Sequence, residues 1–293
     1  MAGKPVGKRA EGRANPATPS GTGAWKASGI VTLLTDFGAD DPYVGMMKGV
    51  LLSAAPRLAI VDLSHGVPPQ NLRVGAWFLA HAAAYFPPGT VHVAVVDPGV
   101  GSGRKLLVAE DAGHAYLAPD NGILGPVLSS AARVFELDPT RFARTGASRT
   151  FHGRDILAPA AAALATGLSP EACGSGPVVP AAGVVFPRPK RLAAGRIECE
   201  VLFADRYGNL ILSARPADLA AEPTRGGGIE GTWIVEAAGR TIPVRGVYAE
   251  AAPGELLALV DSYGALEIAV REGNAAARLG LRQGDTVILA RSS

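Results

Sequence analysis

Cysteine is nearly absent from these 293 residues: Cys173 and Cys199 are the only two. They are too few for a disulfide framework and lack zinc-site spacing. Charged side chains make up 18% and aromatic ones 6%, whereas Gly and Pro number 37 and 23. That texture suits many short elements joined by tight turns and argues against a mainly helical protein. No stretch offers the roughly 18 uninterrupted apolar residues of a membrane span, and the chain does not open on the apolar segment of a secretory signal. A reduced, cytoplasmic location without membrane partners is expected.

A basic stripe is also missing. The formal charge of +2 is lopsided, because residues 1–28 carry Lys4, Lys8, Arg9, Arg13 and Lys26 against Glu11, a surplus of +4 that leaves −2 for the remainder. Nucleic acid is therefore not an expected partner. The same 28 residues are rich in Gly, Pro, Ala and Ser and cannot bury enough surface to offset their ordering entropy, so they read as a disordered tail.

What is abundant is apolar content, 48% of the chain, enough for two cores in a protein of this length. Residues 29–185 alternate short β-rich runs with helical segments, the pattern of an α/β domain with a Rossmann-like, mainly parallel sheet. Strands are expected at Ile30–Leu34, Ala59–Asp62, Val91–Val96, Lys105–Val108 and Val134–Leu137. Helices are expected at Tyr43–Ala54, at Asn71–Tyr85 with Asn71 as N-cap, and at Asp155–Thr166 ended by Gly167. A Pro-rich linker at 186–195 leads to residues 196–293, where strands at Ile197–Phe203, Asn209–Ser213, Thr232–Glu236, Leu256–Val260 and Leu266–Val270 predict a small β-barrel or sandwich. Gly226-Gly227-Gly228 punctuates these strands, a short helix is expected at Asn274–Leu279, and no internal repeat stands out.

Four stretches carry candidate chemistry. Thr35-Asp36-Phe37-Gly38 follows the first strand, where open α/β sheets bind ligands. Asp36 there suits either a ribose diol or a turn cap, and the Gly-x-Gly-x-x-Gly dinucleotide fingerprint is absent. Asp97-Pro98-Gly99-Val100-Gly101-Ser102-Gly103-Arg104 follows another strand and places an acid and an Arg on one Gly-rich loop. It lacks the Lys-Ser/Thr ending of a phosphate loop, and an ordinary turn with an exposed Arg is its alternative. His152, in Phe151-His152-Gly153-Arg154-Asp155, has the most functional setting of the five histidines, on a Gly-flanked corner before the Ala-rich helix; a cap is the alternative. Asp205-Arg206-Tyr207-Gly208-Asn209 alone reads as a hairpin turn.

Taken together and in order, these stretches resemble the S-adenosylmethionine (SAM) hydrolase family, also called SAM hydroxide adenosyltransferases, relatives of the SAM-dependent fluorinase and chlorinase. The likeness extends through Asp41-Pro42-Tyr43-Val44-Gly45, Ile60-Val61-Asp62, Gly89-Thr90-Val91-His92 and Asp120-Asn121-Gly122, and covers nearly everything from residue 30 onward. It implies cleavage of SAM by water into adenosine and methionine, with SAM as substrate and neither cofactor nor metal. Asp97, Arg104 and His152 then surround the attacking water, Asp36 binds ribose, and Phe151 lies near C5′. Asn209 contacts adenine, and Asp41, Asp205 and Ser262 lie at the methionine end. The resemblance also implies a homotrimer whose pockets form between the N-terminal domain of one subunit and the C-terminal domain of the next. Halogenating relatives have an aromatic at the place of Asp97, Ser at the place of Gly153 and an insertion after the Gly-rich loop, so the hydrolytic branch fits better. A chloride-using halogenase and a non-catalytic SAM or adenosine sensor are the alternatives.

Overall fold

The computed structural model describes residues 25–219 and 233–292. Its first half is built from β1 (Ile30–Thr35), α1 (Tyr43–Ala54), β2 (Ala59–Ser64), α2 (Leu72–Ala82), β3 (Val91–Val95), β4 (Leu106–Asp111), β5 (His114–Pro119), β6 (Arg133–Leu137), α3 (Pro139–Phe142), α4 (Ala158–Ala165) and β7 (Gly174–Ser175). The strands form one seven-stranded sheet in the order β2-β1-β3-β5-β4-β6-β7. Its residues alternate between two faces: Val31, Leu33, Val93 and Val108 join a core under α1 and α4, while Leu34, Ala94 and Ala109 join one under α2. Helices thus cover both faces.

The expectation of a mainly parallel sheet is corrected. β2, β1, β3 and β5 run parallel, but β4 pairs antiparallel with both β5 and β6, and β7 pairs antiparallel with β6. The sheet is mixed because a hairpin at Ala112-Gly113 reverses the chain; both residues have positive φ, 49° and 81°, as a tight two-residue hairpin loop requires. The strand after that hairpin, β5, has no counterpart among the sequence-based expectations.

α1 occupies its expected span. α2 is capped as expected, the Asn71 side chain accepting from Val74 N at 3.1 Å. The Ala-rich segment begins differently: Gly153–Leu157 forms a π-helical turn before the α-helical stretch Ala158–Ala165. Its small side chains let α4 lie close against α1, β3 and β1. Residues 25–28, assigned to the tail on composition, rest on the body instead. Trp25 donates from Nε1 to Leu164 O at 3.2 Å, and Ser28 N donates to Gly89 O at 3.0 Å. One large indole outweighs the poor composition around it.

The second half comprises β8 (Lys190–Arg191), β9 (Ile197–Ala204), β10 (Leu210–Leu212), α5 (Pro216–Leu219), β11 (Trp233–Ala237), β12 (Arg240–Pro243), β13 (Leu256–Val260), β14 (Leu266–Val270), α6 (Ala275–Leu279) and β15 (Thr286–Arg291). Seven of these strands pair in the order β12-β11-β15-β9-β10-β14-β13, with β8 added on β9. Arg245 N donates to Ala258 O at 2.8 Å, bringing the two end strands together and nearly closing an antiparallel barrel around Val201, Leu212, Val235 and Ile268. Asn274 caps α6 through Ala277 N, and Gly280 ends it at φ 66°. Thr232 and Gly226–Gly228 lie outside the described residues. The segment between the halves is tied to both: Phe186 packs edge-on against Trp77 at 5.2 Å, and Lys190-Arg191 extends the barrel sheet as β8.

A sequence repeat becomes visible in the barrel. Asp205-Arg206-Tyr207-Gly208-Asn209-Leu210 and Asp261-Ser262-Tyr263-Gly264-Ala265-Leu266 share Asp-x-Tyr-Gly-x-Leu and form the same hairpin turn. In each, Asp Oδ1 accepts from the backbone N of the Tyr and of the residue two beyond it, at 2.8–2.9 Å. Each Gly takes a positive φ, 84° and 75°. The expectation of no repeat is corrected. At six residues the unit is too short for a periodicity search, and its identity lies in backbone geometry.

Candidate active site

β1 and β3 are parallel neighbours, with Thr35 opposite Val95, so the residues that follow them emerge side by side at the carboxyl ends. Asp36 follows β1 directly, and its Oδ2 accepts from Gln70 N at 2.7 Å. Gln70 takes the left-handed φ of 63° to present that N–H. Asp97 follows β3, whose end is fixed by Asn121 Nδ2 donating to Val96 O at 2.8 Å.

The Gly-rich loop then folds back so that Arg104 meets Asp97. Arg104 donates from Nε to Asp97 Oδ1 at 2.7 Å and from Nη2 to Asp97 Oδ2. Their side chains are 9% and 6% exposed, so this is a largely desolvated bidentate pair rather than a surface ion pair. Gly101 makes the fold possible: at φ 80° a Cβ there would stand 2.8 Å from Arg149 O. The turn reading, with an exposed Arg, does not describe Arg104.

His152 completes the group. Its Nδ1 lies 3.2 Å from Arg104 Nη2, which donates to it, leaving the second ring nitrogen, Nε2, to carry the proton. Burial, and then the Arg104 charge, push the imidazole pKa below its ordinary value, so His152 is neutral at pH 7. Arg104 Nη1 is buried and has no protein acceptor. The arrangement is a fixed guanidinium with one free donor beside a neutral imidazole, able to hold a small oxygen nucleophile and take its proton.

Phe151 is 9% exposed and meets Phe37 and Tyr43 edge-on, with centroid separations of 5.7 and 5.4 Å. These three rings form an apolar wall next to His152. Neither Phe37 nor Tyr43 was singled out from sequence, although both lie inside the quoted motifs. Asp41 is exposed immediately ahead of α1.

The other expected residues sit on the barrel. Asp205 and Asn209 share one turn, Asn209 Nδ2 lying 3.2 Å from Asp205 Oδ2, and Ser262 is exposed on the sister turn. Beside them Tyr248 donates to the buried Glu267, whose pKa is pushed up to about 7, first by burial. Among the described residues no hydrogen bond, ion pair or ring contact joins Asp97, Arg104 and His152 to Asp205, Asn209 and Ser262. A cavity of about 870 Å³ between the halves, lined by Trp77, His81, Arg188 and Arg215, contains none of the expected site residues. No cluster of His, Cys, Asp or Glu suited to a metal ion occurs among the described residues.

Fold and site together define a two-domain α/β enzyme whose carboxylate–guanidinium–imidazole centre lies at the carboxyl ends of parallel strands. The profile of the SAM hydroxide adenosyltransferase N-terminal domain matches residues 31–174, and that of the C-terminal domain matches residues 199–288. The chain belongs to this family. It is 43% identical over 268 residues to a Thermus thermophilus protein named (R)-S-adenosyl-L-methionine hydrolase, covering 88% of this chain and 98% of that one. A protein of the same name from Salinispora tropica is 38% identical over 260 residues, covering 87% and 95%. A fluorinase from Actinoplanes is more distant, 25% identical over 163 residues and covering 47% and 55%. Among solved structures, that of an uncharacterized conserved protein from Thermotoga maritima superposes with a TM-score of 0.79 at 32% identity, covering 89% of this chain and all of that one.

Proposed function

We propose that this protein hydrolyses S-adenosyl-L-methionine to adenosine and L-methionine, with Asp97, Arg104 and His152 as its catalytic residues. One observation carries the residue assignment: Arg104 is clamped by Asp97 and His152 while its Nη1 donor is buried without a protein acceptor. A water oxygen bound to that donor attacks C5′ of the ribose. As the C5′–O bond forms, the C5′–S bond breaks and its electron pair returns to sulfur, converting the sulfonium to the neutral thioether of methionine. The water proton passes to His152 Nδ1, which exchanges its 3.2 Å contact with Arg104 for that proton. The sulfonium is already a good leaving group, so positioning the nucleophile is the main task, worth about 7–11 kcal/mol in well-oriented cases.

In the same reading Asp36 holds the ribose hydroxyls, Phe151 lines the C5′ region, Asn209 contacts adenine, and Asp41, Asp205 and Ser262 serve the methionine end. Two halves of a site that do not meet within one chain support a homotrimer with pockets between subunits. Exposed apolar residues on both halves support it further: Tyr43, Met46 and Val61 near one, Tyr207, Val247 and Tyr248 near the other. Residues 29–185 and 196–293 form the domains of this reading, the first Rossmann-like in its four parallel strands. No cofactor is needed for the reaction as written. Two buried free cysteines suit a cytoplasmic location.

Halogenation is disfavoured by Gly153. A Cβ at that position would stand 3.3 Å from Val95 and 3.4 Å from Met47, so its nearest neighbours are apolar, and glycine itself brings no hydroxyl to replace a halide's hydration. The test is incubation of purified protein with each sulfonium epimer of SAM, with and without chloride, followed by chromatography. Adenosine and methionine are expected, with the (R)-epimer included because the relatives' printed names specify it. A 5′-chloro product or unchanged SAM would identify the halogenase or the sensor instead.

A further inference from the structure

Asp155 is 2% exposed yet collects more polar contacts than any residue of the centre. Its carboxylate accepts from Arg154 Nε and Nη2, both at 2.7 Å, from Ser148 N at 2.8 Å, and from Arg144 Nη1 at 3.5 Å. The backbone doubles the tie: Arg144 N donates to Asp155 O and Asp155 N to Phe151 O, both at 3.0 Å. The loop held in this way, residues 144–151, presses its Arg149 carbonyl against Gly101 of the catalytic loop. It also delivers Phe151 and His152 to the centre.

Arg154 is laid by this carboxylate across the face of Phe151, its guanidinium carbon 4.8 Å from the ring centroid, with Nη1 3.8 Å from Met46 Sδ. A full positive charge therefore sits behind the ring that lines the reacting region. A substrate with a sulfonium is repelled by such a charge unless it is neutralised at source, and Asp155 supplies the opposite charge at contact distance.

We propose that Asp155 is the positioning residue of the Phe151–His152 corner and that the Arg154–Asp155 pair is a neutralised brace, letting a cation rest against Phe151. The inference rests on the reading of the site as one that accepts SAM. It assigns no chemistry to either residue: Asp155 acts through Phe151, His152 and the charge of Arg154.

The charge makes the role separable from simple stability. S-adenosylhomocysteine lacks the sulfonium methyl and its positive charge but is otherwise the same molecule, so the ratio of KM for SAM to Ki for this thioether reports how the site treats the charge alone. Asp155→Asn keeps an acceptor for Ser148 N and leaves Arg154 uncompensated; the ratio should rise at least about threefold. Arg154→Met removes one positive charge from behind Phe151 while Asp155 keeps Ser148 N and the Arg144 cation; the ratio should move the other way and fall. Opposite movement in the two variants supports the brace, and if one variant does not fold, the direction of the other decides. Equal changes in KM and Ki within each variant would reduce the pair to packing and overturn the proposal. Failure of the underlying reading looks different, since wild-type protein would then not turn over SAM, and the brace would lose its reason to exist along with it.

Discussion

Arg104 combines two tasks that a lysine cannot share. Its fork holds both oxygens of Asp97, and the third nitrogen is left free, buried and aimed away from that pair. A lysine is a point charge without the planar fork, so Arg104→Lys should lower kcat at least about tenfold while the protein stays folded, as expected where an interaction acts in the transition state. His152→Ala should do the same. A near-wild-type rate in both variants would remove the centre from the mechanism. The pH profile offers a second check. Burial and the Arg104 charge both disfavour the imidazolium of His152, so its neutral, proton-accepting form persists to lower pH than that of an ordinary histidine. kcat/KM should therefore stay level through the neutral range and fall on the acid side, below the usual imidazole range. At this scale the sequence was informative, because an acid and an arginine on one Gly-rich loop and a histidine on a Gly corner are local patterns. Phe37 and Tyr43 were not legible, since they meet Phe151 only after separate parts of the chain come together. The Asp155 ties were hidden for a different reason: they run to the adjacent Arg154 and to Arg144 and Ser148 in the preceding loop, whose path no local pattern specifies.

Among elements, α1 and α2 were readable from spacing and capping, while β5 was not. It lies between β3 and β4 with every residue buried, so it shows no alternation, and it carries His114 and Pro119, neither a typical strand residue. What fills that strand explains the oddity. His92 on β3 is hydrogen-bonded to Thr32 on β1 at 2.8 Å and to His114 on β5 at 3.2 Å, and it stacks on Tyr116. Burial lowers the His92 pKa from 6.5 to about 3, and lowers that of His114 as well. Both are thus neutral in the folded protein and take up protons on unfolding in mild acid. The His92 contribution is fully present above the unfolded value of 6.5 and is lost as pH falls from there toward about 3, and that of His114 is lost in the same direction. The slope is up to about 1.4 kcal/mol per pH unit for each group. Urea titrations at several pH values between neutral and mildly acidic should show stability dropping along that line, and His92→Gln should flatten it. An equal slope in the variant would mean that other groups, such as the half-buried His81, carry the acid sensitivity.

For the whole molecule the decisive question is whether the two groups of proposed site residues belong to one pocket. Asp97, Arg104 and His152 open at the carboxyl ends of β1 and β3, whereas Asp205, Asn209 and Ser262 lie on the duplicated turns of the barrel. Within one chain the contact between the halves is made by other residues: Asn71 with Gln283, Arg73 with Glu200, and Trp77 with Phe203. A homotrimer is implied only by the resemblance, because surfaces that could pair between copies are assembled from residues far apart along the chain. Mixing tests it. In the proposed assignment Arg104→Ala damages only the sheet-side residues and Asn209→Ala only the barrel-side ones, so each homogeneous protein should be nearly inactive. If three copies close in a ring, with each pocket taking one half from each of two neighbours, a mixed ring must contain a pocket formed from two undamaged halves. Unfolding the two variants together and refolding them should then restore a substantial fraction of wild-type turnover, with sedimentation showing a species of three subunits. A site completed within one chain offers no such rescue: every copy carries a damaged half of its own, and activity after verified mixing would stay at the sum of the two variants.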